Sequence, residues 1–309
     1  MSTVLIAGGT GLVGTALTEY LLQKNYTVII LTRSLTKSSH HPNLSYAQWN
    51  TDTQTMDAAA LAEADYIVNL AGAGVADKRW TKARKKEIQE SRVSSGQLIT
   101  KTLKAIPNKV KAVINASAIG WYGADPGIPN EKPFVETDKA DTQFLGETCK
   151  LWEESVEGII ALNIPLIKLR IGIVLSKDGG ALTEFKKPLQ FGVAAILGNG
   201  KQMISWIHIT DLCRMIEYCM LHDKTENVFN AAAPKPVSNK TLTIALAKKM
   251  KGKFYIPVNV PAFALKLVLG EMSIEVLKSA TVSCKKIQDA GFTFLYPSID
   301  AALDDLCSR

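Results

Sequence analysis

With 309 residues, 47% of them hydrophobic, the chain can bury a full core and sits at the upper end of what one domain holds. Its 36 Lys and Arg exceed its 29 Asp and Glu by +7, which raises a nucleic-acid reading, while no apolar run approaches the roughly 18 residues a membrane span needs. The five cysteines (Cys149, Cys213, Cys219, Cys284 and Cys307) are odd in number and lack metal-type spacing, so they read as reduced thiols and neither a disulfide framework nor a metal site is expected.

The first predicted element is an apolar strand, Thr3 to Ala7, followed by Gly8, Gly11 and Gly14 at G-x-x-G-x-x-G spacing. Leu17, Leu21 and Leu22 then fall on one helical face, and a second strand, Thr27 to Leu31, closes a βαβ unit. Glycines at this turn allow a tight strand-to-helix reversal, let backbone amides approach a pyrophosphate, and let helix and strand pack closely. Thr10, Leu12 and Val13 of the same turn join Gly8, Gly11 and Gly14 as candidate cofactor contacts. The position after the second strand selects the dinucleotide. It reads Thr32-Arg33-Ser34, with no acid to bind a ribose 2′-hydroxyl, so Arg33 and Ser34 are expected to hold a 2′-phosphate and the cofactor is expected to be NADP(H).

Four more strands are predicted at Leu44 to Trp49, Tyr66 to Ala71, Ala112 to Ser117 and Leu166 to Ile171, with helices between them. The fold class is therefore α/β, a Rossmann-type doubly wound parallel sheet whose ligands lie at the carboxyl ends of the strands. Leu70, Ala71, Gly72, Ser117 and Ile173 complete the cofactor contacts expected at the strand ends. Much of the charge excess lies in Lys78, Arg79, Lys82, Arg84, Lys85 and Lys86, at the start of a helix running to about Lys104. That run reads as a solvated face or as a field for an anionic cofactor or substrate, without a nucleic-acid motif. Beyond about Gly179, Gly- and Pro-punctuated segments lead into a mainly helical end, including Lys240–Lys251 and Pro261–Leu269. The expected division is a dinucleotide-binding domain over 1–235, with its core in 1–178, and a small, mainly helical substrate lobe over 236–309.

The motifs GGTGLVG, NLAG, ASAIGWYG, LRIGIVL and ISWIHITDL resemble the extended branch of the short-chain dehydrogenase/reductases, which includes nucleotide-sugar epimerases. NLAGAGVADKRWTKARKKEIQESRV, FLGETCKLWE and the segment from PVSNKTLT through LVLGEMS to DAGFTFLYPSIDAALDDL are similar to its atypical "epimerase family" subgroup, which carries its own small C-terminal domain. The resemblance covers essentially the whole chain. It implies a Ser at the end of the fifth strand, met by Ser117, and a Tyr-x-x-x-Lys on the next helix. If Lys150 is that lysine, the tyrosine place is Gly146, and the nearest aromatic, Phe144, has no proton to give.

By the same resemblance Lys150 would hold the cofactor's ribose, and Ser117, Tyr122, His208 or a bound water, and with less reason Glu136 and Glu147, are the candidates to carry the missing proton. Tyr122 either does so or packs its loop; His208, in SWIHITDL beside Asp211, is either a proton carrier or structural. Arg79-Trp80, Ser91-Arg92 and Trp121-Tyr122 either bind a planar or anionic substrate or simply pack. The expectation is a cytoplasmic NADP(H)-binding oxidoreductase or epimerase acting on an unidentified small molecule, with no nucleic-acid or membrane partner and with dimerisation suggested by analogy. The rival is a cofactor-occupied sensor or regulatory protein without turnover.

Overall fold

The computed structural model describes residues 1–34, 39, 41–222 and 226–308. Its strands are β1 (Thr3–Ala7), β2 (Thr27–Thr32), β3 (Leu44–Asn50), β4 (Thr55–Met56), β5 (Tyr66–Asn69), β6 (Ala112–Ala118), β7 (Leu166–Ile171), β8 (Ile173–Ser176), β9 (Gly179–Gly180), β10 (Val193–Leu197), β11 (Met203–Ile204), β12 (Trp206–His208), β13 (Glu226–Ala231), β14 (Val237–Ser238) and β15 (Ile256–Val260). The helices are α1 (Leu12–Gln23), α2 (Ala58–Glu63), α3 (Lys82–Ala105), α4 (Phe144–Glu154), α5 (Ala181–Gln190), α6 (Ile209–Leu221), α7 (Asn239–Lys251), α8 (Ala262–Leu269), α9 (Ser273–Leu277), α10 (Lys285–Asp289) and α11 (Ile299–Cys307).

The main sheet has the order β13-β7-β6-β5-β1-β2-β3-β4, parallel except for β4 at its edge. Side-chain alternation explains why both faces need cover. Val4, Ile6, Val28 and Ile30 feed one core with Leu17 and Leu21 of α1 and Leu212 of α6, while Leu5, Ala7, Ile29 and Leu31 feed the other with Leu61 of α2 and Leu98 of α3. The predicted strands are all present; the last two residues of Tyr66 to Ala71 are the one shortfall, since β5 ends at Asn69 and Leu70-Ala71 already belong to the loop.

The smaller lobe is mainly helical at its end, and it adds one strand the sequence did not mark: β15 pairs in parallel with β10, Val193 opposite Ile256 and Leu197 opposite Val260. Its core also draws on both sides of residue 235, because Leu175, Leu182, Leu189 and Trp206 pack with Leu242, Leu246, Leu303 and Leu306. Between those stretches the chain returns to the main sheet through α6 and β13.

Candidate functional site

Parallel register brings the carboxyl ends of the central strands to one edge: Ala7 lies beside Leu31 and Asn69, Asn69 beside Asn115, and Ala118 beside Ile171. Gly8 opens the turn there at φ +78°, where a side chain would strike the Leu70 carbonyl, and a Cβ on Gly14 would lie 2.2 Å from Gly8 O. Both glycines are thus required by the chain's own packing. Gly11 is different. It is exposed and extended, and a Cβ there would meet nothing closer than Gly8 O at 3.5 Å. It precedes α1, whose N-terminus no side chain caps, so open space and free helix-start amides coincide, as a pyrophosphate requires. The residues present therefore fit a dinucleotide.

The other expected cofactor contacts gather around this turn. Thr10 is exposed, and the Leu12 side chain packs against the Gly179-Gly180 bend. Val13 is half-buried at the rim of a core. Leu70 and Ala71 lie over Gly8, Gly72 is exposed beside Arg92, and Ile173 stands 40% exposed at the start of β8. Arg33 and Ser34 are exposed at the end of β2, with Arg33 and Lys78 both within electrostatic reach of Glu87. Underneath, buried Asn69 donates to Asn115 Oδ1 at 2.7 Å and accepts from the Ala71 amide, fixing the strand ends.

The expected proton carriers are placed otherwise. Ser117 is buried, and its hydroxyl donates to Glu153 Oε1 of α4 at 2.7 Å. Arg170 clamps the same carboxylate through Nε at 2.8 Å and Nη2 at 3.1 Å, and its Nη1 donates to Tyr122 Oη at 3.0 Å. Tyr122 in turn donates to Asn230 Oδ1 at 2.7 Å, and burial raises its phenol to about 12. Alternation along β6 accounts for this: Ser117 and Asn115 share the face covered by α3 and α4, so the serine points beneath α4. Ser117 and Tyr122 thus belong to a satisfied buried network, and a fully paired network of this kind holds a fold together. Glu136 belongs to it as well, accepting from the Asn230 amide at 2.8 Å, whereas Glu147 is an exposed residue of the first turn of α4.

Lys150 points away from the strand ends. Its side chain is 57% exposed and faces Glu154 at 3.8 Å. The α4 face that meets the turn after β6 instead carries Leu145 and Cys149, respectively 3.3 and 3.6 Å from where a Gly120 Cβ would be. These two residues have the four-residue spacing of Tyr and Lys, so the register of α4 is one residue earlier than Gly146 and Lys150 suggest. Gly146 itself has no room for a ring, since its Cβ would lie 2.2 Å from Asp141 O. Burial pushes the Cys149 thiol up to about 11, with the Ala118 backbone, Glu153, Arg92 and Lys278 around it.

His208 caps the N-terminus of α6, a helix packed on the main sheet, where it meets α11 of the smaller lobe. It is 1% exposed, accepts from the Thr210 amide through Nδ1 at 3.1 Å, approaches Asp305 through Nε2 at 3.2 Å and stacks on Tyr296. Burial lowers its pKa, with Asp305 and Asp211 opposing. Asp211 accepts from the Leu295 and Tyr296 amides at 2.9 Å each, so this motif latches the C-terminal segment.

Arg92, Trp80 and Trp121, weighed from the sequence as substrate-binding or packing residues, are engaged by the protein itself, and what sequence reasoning missed is the smaller lobe's side of the cleft, Glu271, Ile274, Glu275 and Lys278. Arg84 and Arg92, two turns apart on α3, hold the loop after β5 by donating to Gly74 O and Ala73 O; Arg92 is largely buried, which lowers its pKa, and it lies over Trp152. Trp80 is buried, donates to Val75 O and meets Phe144 edge-on at 5.0 Å. Trp121 donates to Asp138 O and lies 3.6 Å from the Arg170 guanidinium. A cleft of about 280 Å³ opens between Trp80, Lys85 and Phe144 of the larger part and Glu271, Ile274 and Glu275 of the smaller. Lys85 pairs with Glu271 at 2.8 Å, and Lys278 pairs with Glu275 at 2.6 Å while reaching the Tyr122 carbonyl at 3.5 Å. The clue in the sequence is the segment 269–278, whose Glu271, Glu275 and Lys278 are brought to Lys85 and the Tyr122 carbonyl only through the fold. Among the described residues, no group of three or more His, Cys, Asp or Glu could hold a metal, and no helix is long and apolar enough to cross a membrane.

Comparison with known proteins matches residues 4–156 to the NAD dependent epimerase/dehydratase family and residues 260–306 to a domain of unknown function, DUF1731. The chain is 34% identical over 307 residues to an epimerase family protein of Staphylococcus saprophyticus, covering 99% of both, and 32% identical over 304 residues to the epimerase family protein YfhF of Bacillus subtilis, covering 98% of this chain and 97% of that one. Its fold matches the human epimerase family protein SDR39U1, solved with NADPH, at a TM-score of 0.84 and 25% identity, with 99% of each chain covered. These matches run along essentially the whole length, and the chain belongs to the epimerase family, an atypical branch of the extended short-chain dehydrogenase/reductases.

Proposed function

We propose that the protein is an NADP(H)-dependent oxidoreductase or epimerase acting on a small molecule held in the cleft between α3, α4 and α9. The observation that carries this reading is Gly11, whose missing side chain leaves room that the protein's own atoms do not use. The NADPH in the human relative's structure supports the same choice of cofactor, as does Arg33 in place of an acid. When bound, the nicotinamide gives or takes the hydride. The helix-start amides of Leu12 to Gly14 would hold the pyrophosphate, Arg33 the 2′-phosphate, and Trp80 and Phe144 a planar or apolar part of the substrate.

Proton movement falls to the smaller lobe. Ser117 and Tyr122 are committed to Glu153, Arg170 and Asn230, while the α4 face toward the turn after β6 carries Leu145 and Cys149, neither a phenol nor an ammonium. Glu275 and Lys278 are an acid and base paired in the smaller lobe, 20% and 11% exposed, with Lys278 in electrostatic reach of Cys149. The test is single-turnover oxidation of bound NADPH across a panel of carbonyl compounds and nucleotide sugars, repeated with Glu275→Gln and Lys278→Met. Turnover should be slow, because a well-placed general acid or base contributes about 10²- to 10⁴-fold, and each variant should slow it further without weakening NADPH binding. The Leu145 and Cys149 pair also favours a second reading, a sensor that holds NADP(H) without turnover; tight NADPH binding with no oxidation by any compound would select it.

A further inference from the structure

Between Glu226 and Glu271 the chain contains seven lysines and no acidic residue. Within this stretch, from Phe254 to Val268, six large apolar side chains are exposed: Phe254 (86%), Ile256, Val258, Phe263 (75%), Leu267 (76%) and Val268. Single exposed apolar residues are ordinary on a protein surface, but this density along one short segment is not. Its cause lies in the fold. Among the described residues β15 pairs with β10 alone, leaving one of its edges without a strand, and the register sets Val193, Ala195 and Leu197 beside Ile256, Val258 and Val260 on one face. The opposite face carries Ala194 and Ile196, both buried, with Ala194 in the core of the smaller lobe. After Pro261 the chain enters α8, which packs chiefly on the short helices that follow it and leaves Phe263 and Leu267, one turn apart, in solvent.

We infer that the β15–α8 surface docks on an anionic lipid bilayer, Phe254, Phe263 and Leu267 entering the headgroup boundary while Lys251, Lys253 and Lys266 meet the lipid phosphates. Charge chooses this occupant. A second copy of the chain brought up about a two-fold axis would set the acid-free stretch against itself, lysines facing lysines, whereas an anionic leaflet complements both its charge and its apolar side chains. The geometry is that of a surface-lying segment: α8 has eight residues and spans nothing. The expectation of no membrane partner rested on the absence of a long apolar run, which excludes a span and leaves a surface open.

Co-sedimentation of the full chain with phosphatidylcholine vesicles, with and without phosphatidylglycerol, tests the inference. The protein should pellet with the anionic vesicles, stay in solution with phosphatidylcholine alone, and be released as salt rises. Lys251→Glu with Lys253→Glu should weaken binding at least tenfold, since each lysine near a charged leaflet is worth about fivefold. Phe254→Ser and Phe263→Ser, whose side chains lie outside the core, should weaken it with melting temperature and NADPH affinity unchanged. Failure to pellet with either vesicle overturns the inference. So does vesicle binding untouched by these four substitutions, and so does a lipid-independent dimer that Phe263→Ser dissolves, which would give the face to a second copy.

Discussion

Gly11 and Gly146 each stand at the start of a helix, and they lack side chains for opposite reasons. Gly11 has space above it that no atom of the chain fills, while the space above Gly146 is taken by the Asp141 backbone. The first belongs to the turn at the strand ends that a dinucleotide would enter, and that turn is kept open. The second belongs to the region where proton transfer would be expected, and there the chain has closed in on itself: Ser117, Tyr122, Glu153 and Arg170 satisfy one another. A cofactor site and a catalytic site are therefore separable features of one fold, and this molecule retains the first without the usual form of the second.

The sharpest way to break that comparison is Gly11→Val. Its backbone is extended, which a branched residue accepts, so the variant should fold, yet its side chain would occupy the pyrophosphate's approach and abolish NADPH binding. Calorimetry beside a melting curve reads both; retained binding would place the cofactor elsewhere. Gly14→Val should fail differently, by unfolding, because its Cβ would collide with Gly8 O.

On the closed side the largest effect should be on stability. The Arg170 and Glu153 side chains are 3% and 5% exposed. Glu153→Ala leaves the guanidinium buried without its carboxylate, and breaking such a pair costs about 3–5 kcal/mol. Denaturant unfolding should show this loss, with NADPH affinity of the folded fraction intact. A change under about 1 kcal/mol would mean water reaches the network. Next comes Arg33→Asp, which removes a charge-assisted contact of about 1.5–3 kcal/mol with the 2′-phosphate and should narrow or reverse a preference for NADP(H). Equal affinity of the unmodified protein for NAD(H) and NADP(H) at fixed salt would defeat that assignment.

His208 offers a smaller, pH-dependent test of the structural role given to it. Burial holds its folded-state pKa below the unfolded value of about 6.5, so the neutral form favours the native state. Its contribution is complete above about pH 6.5 and is lost as pH falls and the unfolded chain takes up the proton first. Denaturant unfolding at about pH 7.5 and about pH 5.5 should show a drop that His208→Gln reduces, with NADPH binding unaffected. A variant that loses NADPH oxidation but keeps the same pH slope would return His208 to the chemistry.

What could be read from the sequence followed from how local the cause was. The glycine turn, the central strands and helix α3 are set by neighbours a few residues away, through turn geometry and apolar period, and they stand where those signals put them. Strand β15 escaped because its segment, flanked by helices, is mostly exposed and pairs with β10, some sixty residues distant. Pairing at that separation leaves no local mark. Ser117 was legible as a strand-end serine, but its partner Glu153 lies 36 residues on, and only the assembled face shows the hydroxyl already used. The one-residue register of α4 was invisible for a related reason: Lys150 and Cys149 are adjacent in sequence, yet they point 100° apart on a helix.

That register gives the smallest expected effect and the finest discrimination. Lys150 reaches only Glu154, at 3.8 Å across an exposed helical turn, an arrangement worth about 0.3–0.5 kcal/mol. Lys150→Met should therefore leave stability, NADPH affinity and any NADPH oxidation within about twofold of the unmodified protein. Cys149→Ser, on the neighbouring face, removes a buried sulfur beside the Ala118 backbone and Arg92 and should disturb cofactor affinity more. The opposite ranking, with Lys150→Met costing tenfold or more in NADPH affinity, would mean that α4 turns by a residue when the dinucleotide enters, bringing the lysine to the ribose and restoring half of the usual catalytic pair. Similar values for the two substitutions would leave Leu145 and Cys149 as packing residues and put the whole burden of proton transfer on Glu275 and Lys278.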